Sequence, residues 1–142
     1  MSRKGMAGMI RLHKWQLDEK RRNMSELEKM RADLQQNLID LQVELISEQK
    51  KVSASPVVSI SYAGYAQQVM ARRMNIVNSI LEVDVSIEGM KDELADAFKE
   101  LKKYEVVEQR ERQRKLTERD RAQQAELDEM ALNIHRRNQK LG

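Results

Sequence analysis

The chain has no cysteine, one proline and five glycines among its 142 residues, and aromatic side chains make up only 4%. Without cysteine, neither disulfides nor thiolate metal sites can form. With a single Trp and a single Phe, the chain lacks the bulky apolar volume that fills a globular core of this size. No stretch approaches the ~20 consecutive apolar residues of a membrane span. The start, Met1 to Trp15, has short apolar pieces broken by charge, unlike a signal peptide. Charge of one sign is also scarce, since 26 basic and 23 acidic residues leave only +3. These absences point to a soluble, cytoplasmic protein without a large globular core.

What is present is helix-forming. Leu, Met, Ala, Gln, Glu, Lys and Arg dominate, 35% of residues are charged and 40% are hydrophobic. That is too apolar for disorder and fits a coiled coil if a heptad accompanies it. The heptad is there. Every seventh residue from Ile10 gives Ile10, Leu17, Met24, Arg31, Leu38, Leu45 and Val52, of which only Arg31 is polar. The companion positions are His13, Lys20, Leu27, Leu34, Leu41 and Glu48, apolar in the middle only. Such a seam predicts a coiled-coil helix over about 8–52.

The pattern stops at Ser53-Ala54-Ser55-Pro56-Val57-Val58-Ser59, which holds the only proline. Proline lacks the amide that a helix interior requires, and serines suit turns and helix N-caps. Residues 53–60 are therefore read as a hairpin turn. A second seam follows, with Tyr62, Val69, Ile76, Val83, Met90, Ala97 and Tyr104. Its companions are Ala66, Arg73, Ile80, Ile87, Leu94 and Leu101, broken only by Arg73. It predicts a second helix over about 61–139, in which Gly64 and Gly89 each weaken the helix by about 1 kcal/mol relative to Ala.

Folding the chain at the turn sets Val52 against Tyr62 and brings Ile10 against Tyr104. The first seam thus begins where the second ends, which favours an antiparallel pair within one chain. After Tyr104, Glu105 to Arg121 is dense in both signs of charge. Pairs such as Glu108 with Arg112 and Glu111 with Lys115 have helical spacing and support an exposed helix. A weaker stripe returns at Leu127, Met130, Ile134 and Leu141, with no first-helix residues left to cover it. The expected fold is all-α: one long two-helix antiparallel coiled-coil hairpin over 1–142, with an overhanging C-terminal helix.

No catalytic, cofactor-binding or metal-binding constellation accompanies these helices. The glycines are scattered without a P-loop pattern, and His13 and His135 lie far apart without zinc spacing. His13 falls on the seam, where a packed histidine is the ordinary role. The carboxylates sit in charge-mixed surface with no burial to tune them for proton transfer. Arg110, Arg112, Arg114, Lys115, Arg119 and Arg121 could attract nucleic acid, but interleaved acids repel phosphate and no aromatics accompany them for stacking. A solvated face with mixed charge is the better reading. Tyr65 lies off the seam, either packing against Val57 or Val58 or free for a partner. Leu127, Met130 and Ile134, followed by Arg136, Arg137 and Lys140, read as a docking helix for a partner's groove.

The layout resembles the FliJ family of the bacterial flagellar type III export apparatus, together with its YscO-type injectisome counterparts. Two stretches carry the resemblance beyond length and topology. Ile60-Ser61-Tyr62-Ala63-Gly64-Tyr65-Ala66-Gln67-Gln68-Val69 is similar to the family's Tyr-x-x-aromatic-x-x-x-aliphatic run, and Leu127-Asp128-Glu129-Met130-Ala131 to its C-terminal Leu/Met-Asp-Glu-x-Ala. The resemblance implies a coiled coil like the central shaft of rotary ATP synthases. Its terminal ends would insert in the hexameric export ATPase and promote its activity, and its turn region would contact the membrane export gate, FlhA. Some members also bind export chaperones. Carried over, Tyr62, Tyr65, Val69 and Ile76 would face the gate, while Leu127, Asp128, Met130, Ala131, Ile134 and Arg137 would serve the ATPase. Arg72 and Arg73 depart from the family's aromatic or small residues one turn beyond Val69. The implied location is cytoplasmic, peripheral to the inner membrane at the flagellar base. A coiled-coil adaptor or scaffold unrelated to secretion is the alternative.

Overall fold

A computed structural model describes residues 3–54 and 59–141, all in two α-helices, α1 (Arg3–Ala54) and α2 (Ser59–Leu141). Residues 55–58 of the expected turn, with Pro56, Val57 and Val58, lie outside the described residues. No strand occurs among the described residues. α1 starts five residues earlier than the seam from Ile10 suggested. The heptad explains this, because Met6 lies one repeat before His13 and is half-buried. Gly8, Gly64 and Gly89 are all helical with no positive φ, so none is needed for backbone reasons.

Contacts divide the chain into two units. One runs from Lys14 to Phe98, and the other joins the start of α1, up to His13, with α2 from Lys99 onward. In the first unit the two seams face each other. Leu17, Met24, Leu41, Val69 and Val83 are buried, and every other seam residue is half-buried except Arg73, which is exposed. At about 25 cal/mol per Å² of apolar surface removed from water, this seam supplies most of what holds the helices together. Arg73 shows how a long side chain can occupy a seam position and carry its guanidinium out to solvent.

The register agrees with the fold at the turn. Lys20 reaches Glu93 at 4.0 Å and Arg31 reaches Asp84, both pairs lying within one residue of the alignment that sets Val52 against Tyr62. The two Arg31 contacts are bidentate in form, from Nε to one Asp84 oxygen and from a terminal nitrogen to the other at 3.5 Å. Asp84 thereby holds the Arg31 guanidinium above its ordinary pKa, first through the hydrogen bond and then through its charge.

In the second unit Ile10 and Leu101 are buried, and the His13 ring stacks on Tyr104 with centroids 4.7 Å apart and planes 23° apart. From Gln109 to Leu141 every residue of α2 is exposed. This is the uncovered arm that the sequence pattern called for. Its rise along the helix axis is about 50 Å.

Candidate partner-binding surfaces

The first candidate surface lies at the start of α2. Tyr62 and Tyr65 stand three residues apart on a helix, so their rings lie side by side, with centroids 6.3 Å apart and planes tilted by 42°. Both are half-buried. The Tyr65 hydroxyl donates to Glu44 Oε1 of α1 at 2.9 Å. This gives Tyr65 a partner across the helix pair, one that the sequence reading had not found. The phenol is pushed up to about 12, first by desolvation and then by Glu44 and Glu48, while Arg72 opposes the shift.

Val69, at 2% exposure, sits deep in the seam, and Ile76 is half-buried there. Their apolar surface is thus largely spent on α1. What α2 leaves in solvent beside them is Met70, Arg72, Arg73 and Met74. The structure therefore brings Tyr62, Tyr65, Val69 and Ile76 to one stretch of the helix pair, with two methionines and two arginines as its exposed part. Exposed apolar side chains one residue off a seam position are the sequence signal for such neighbours.

The second candidate surface is on the arm. Leu127, Met130 and Ile134 follow helical spacing along one face and are 59%, 56% and 56% exposed. Arg137 falls in the same row one repeat beyond Met130, and Asp128 and Ala131 flank it, all exposed. Asp128 accepts from Gln124 at 3.0 Å, a local pair of a solvated helix. No described residue covers this row.

Between them, two arginines of the charged run of α2 are paired along the helix. Arg112 contacts Glu108 at 2.7 Å and Arg114 contacts Glu111 at 3.1 Å. Arginines so neutralised are poor phosphate binders, which suits a solvated face better than a nucleic-acid site. Among the described residues no group of three or more His, Cys, Asp or Glu could hold a metal ion. No helix among them is long and apolar enough to cross a membrane.

The sequence model of the flagellar FliJ protein family matches residues 4–140, nearly the whole chain. The chain belongs to the FliJ family. Among its relatives is the flagellar FliJ protein of Caulobacter vibrioides, found in two strains. Each is 24% identical over 131 residues, covering 91% of this chain and 93% of the relative. No solved structure matches the chain significantly. Membership makes this a protein of flagellar export and flagellum assembly, in a family whose part in export is non-catalytic. Both candidate surfaces lie within the matched residues, as do both helices except for Arg3 and Leu141 at their outer ends.

Proposed function

We propose that this FliJ-family chain acts as one stalk that links a hexameric export ATPase to the export gate protein FlhA, with export chaperones as further partners. It works by contact and carries no chemistry of its own. In this reading Leu127, Asp128, Met130, Ala131, Ile134 and Arg137 dock in the ATPase. The start of α2 around Tyr62, Tyr65, Val69 and Ile76 serves the gate, and Met70, Arg72, Arg73 and Met74 form the part of that region a partner meets first. The protein would then sit in the cytoplasm, held at the inner membrane through its partners.

The observation that carries this reading is the uncovered apolar row on the arm. An amphipathic helix that buries nothing within its own chain suits a partner's groove. Its Asp128 and Arg137 lie beside the apolar residues, where charged groups fix register without breaking the row. The test is hydrolysis by the purified export ATPase with and without the full chain. Stimulation is expected with the wild type, and loss of most of it with residues 122–142 deleted or with Leu127→Glu plus Ile134→Glu. Stimulation that survives both changes rules out docking through this end.

A further inference from the structure

We infer that the gate-facing site is built from both helices, with Glu44 of α1 as the residue that positions Tyr65 of α2 for the gate protein. Glu44 adds to the proposed gate role of Tyr62, Tyr65, Val69 and Ile76, and its own role depends on that reading. All five residues lie within the Lys14–Phe98 unit.

The apolar seam does little to hold Tyr65. The seam residues around it are Tyr62, Ala66 and Val69, so Tyr65 stands at the edge and not among them. Toward the turn the seam also thins, because Glu48 and Arg73 take two of its positions and Ala66 is small. Among the described residues of α2 before Val83, Val69 alone is buried. A phenol on such an edge turns about two soft torsions, and packing alone leaves it several rotamers.

Glu44 removes that freedom. It is exposed and lies one residue before half-buried Leu45 of the seam, which sets its carboxylate at the rim of the pair. There Oε1 accepts from the Tyr65 hydroxyl at 2.9 Å. The two residues are 21 apart in sequence, so the bond exists only where α1 and α2 are paired. Tyr65 is thus tied at both ends, by its backbone to α2 and by its hydroxyl to α1. The Tyr62 ring, with its centroid 6.3 Å away, lies beside a ring that is already fixed. Tyrosine is a favoured anchor at protein contacts, because it offers a large rigid area on few torsions. Fixing two such rings before a partner arrives lowers the ordering cost of binding, by on the order of tenfold in affinity. Glu44 acts through the tyrosine and supplies no contact of its own to the gate.

The test is the affinity of the full chain for the gate protein FlhA in nanodiscs, read by surface plasmon resonance. The wild type is expected to bind, and Tyr65→Phe and Glu44→Ala each to weaken binding about five- to tenfold. The double variant should bind no more weakly than either single one, since both changes break the same contact. Glu44→Gln keeps an acceptor oxygen and should bind within about twofold of the wild type. Wild-type affinity in Glu44→Ala overturns the positioning role. Losses that add in the double variant also overturn it, because Glu44 then acts apart from Tyr65. So does a Glu44→Gln variant as weak as Glu44→Ala, which makes the charge and not the bond decisive. A wild-type chain that does not bind FlhA overturns the gate reading itself, and the role of Glu44 with it.

Discussion

The polar residues of the first seam each meet a specific group. His13 stacks on Tyr104, Lys20 reaches Glu93, Arg31 is bridged by Asp84, and Glu48 pairs with Lys51 at 3.4 Å. The three contacts that cross to α2 cost packing yet fix which residue faces which, because an ion pair one heptad out of register would lose its partner, whereas Glu48 and Lys51 lie on the same helix. Tyr65 offers the sharpest test at this scale. Its phenol titrates near 10.0 when unfolded and at about 12 when folded. The stability it contributes is therefore full below pH 10 and lost as pH rises through the folded value. With Tyr62 and Tyr104 changed to Phe, phenolate absorbance should show one midpoint well above the ordinary value. Glu44→Gln should lower that midpoint. An unchanged midpoint would mean that the bond does not persist in solution. Glu100 behaves in the opposite sense, since Lys103 holds its carboxyl below the usual range, so its contribution is lost only as pH falls into the acid range.

At the scale of the helices, burial divides positions that look alike in composition. Leu17 is buried in the seam while Leu132 on the arm is exposed. Leu17→Ala should cost about 2–3 kcal/mol in thermal or urea unfolding, and Leu132→Ala less than about 0.5 kcal/mol. Gly64 and Gly89 give the converse test. A methyl group added at either meets no atom within 4 Å, and both lie in regular helix. Gly89→Ala should therefore stabilise the helix by about 0.5–1 kcal/mol, read as a higher urea midpoint at unchanged slope. A loss of stability there would mean that the helix is not straight through this point.

For the whole molecule, charge is abundant but finely divided. Most ion pairs are three or four residues apart on one helix and exposed, as with Lys91 and Glu88 at 2.9 Å. Raising ionic strength from about 0.1 M to about 1 M should shift the melting temperature little, because exposed pairs contribute little and salt screens both signs alike. Retention on bulk DNA should fall away at physiological salt for the same reason. A steep salt slope with tight binding would reopen the nucleic-acid reading of residues 110–121.

The heptad made the helices, their antiparallel register and the uncovered arm legible from sequence, because a seam needs only apolar residues at a fixed period and a turn to reverse it. The family was legible in Tyr62 to Val69 and Leu127 to Ala131, short runs in the right order along the chain. Which edge of the seam a residue outside it occupies was not legible. That depends on the pairing of residues far apart in sequence, such as Glu44 with Tyr65. Nor did the seam by itself show that Val69 is buried to 2% while Arg73, one turn on, reaches solvent. Side-chain length and the local spacing of the two helices decide that. Sequence alone thus determined the period and the register. Only the tertiary structure decided which side chains meet across the pair, as Tyr65 meets Glu44 and Arg31 meets Asp84, because those contacts join residues far apart in sequence.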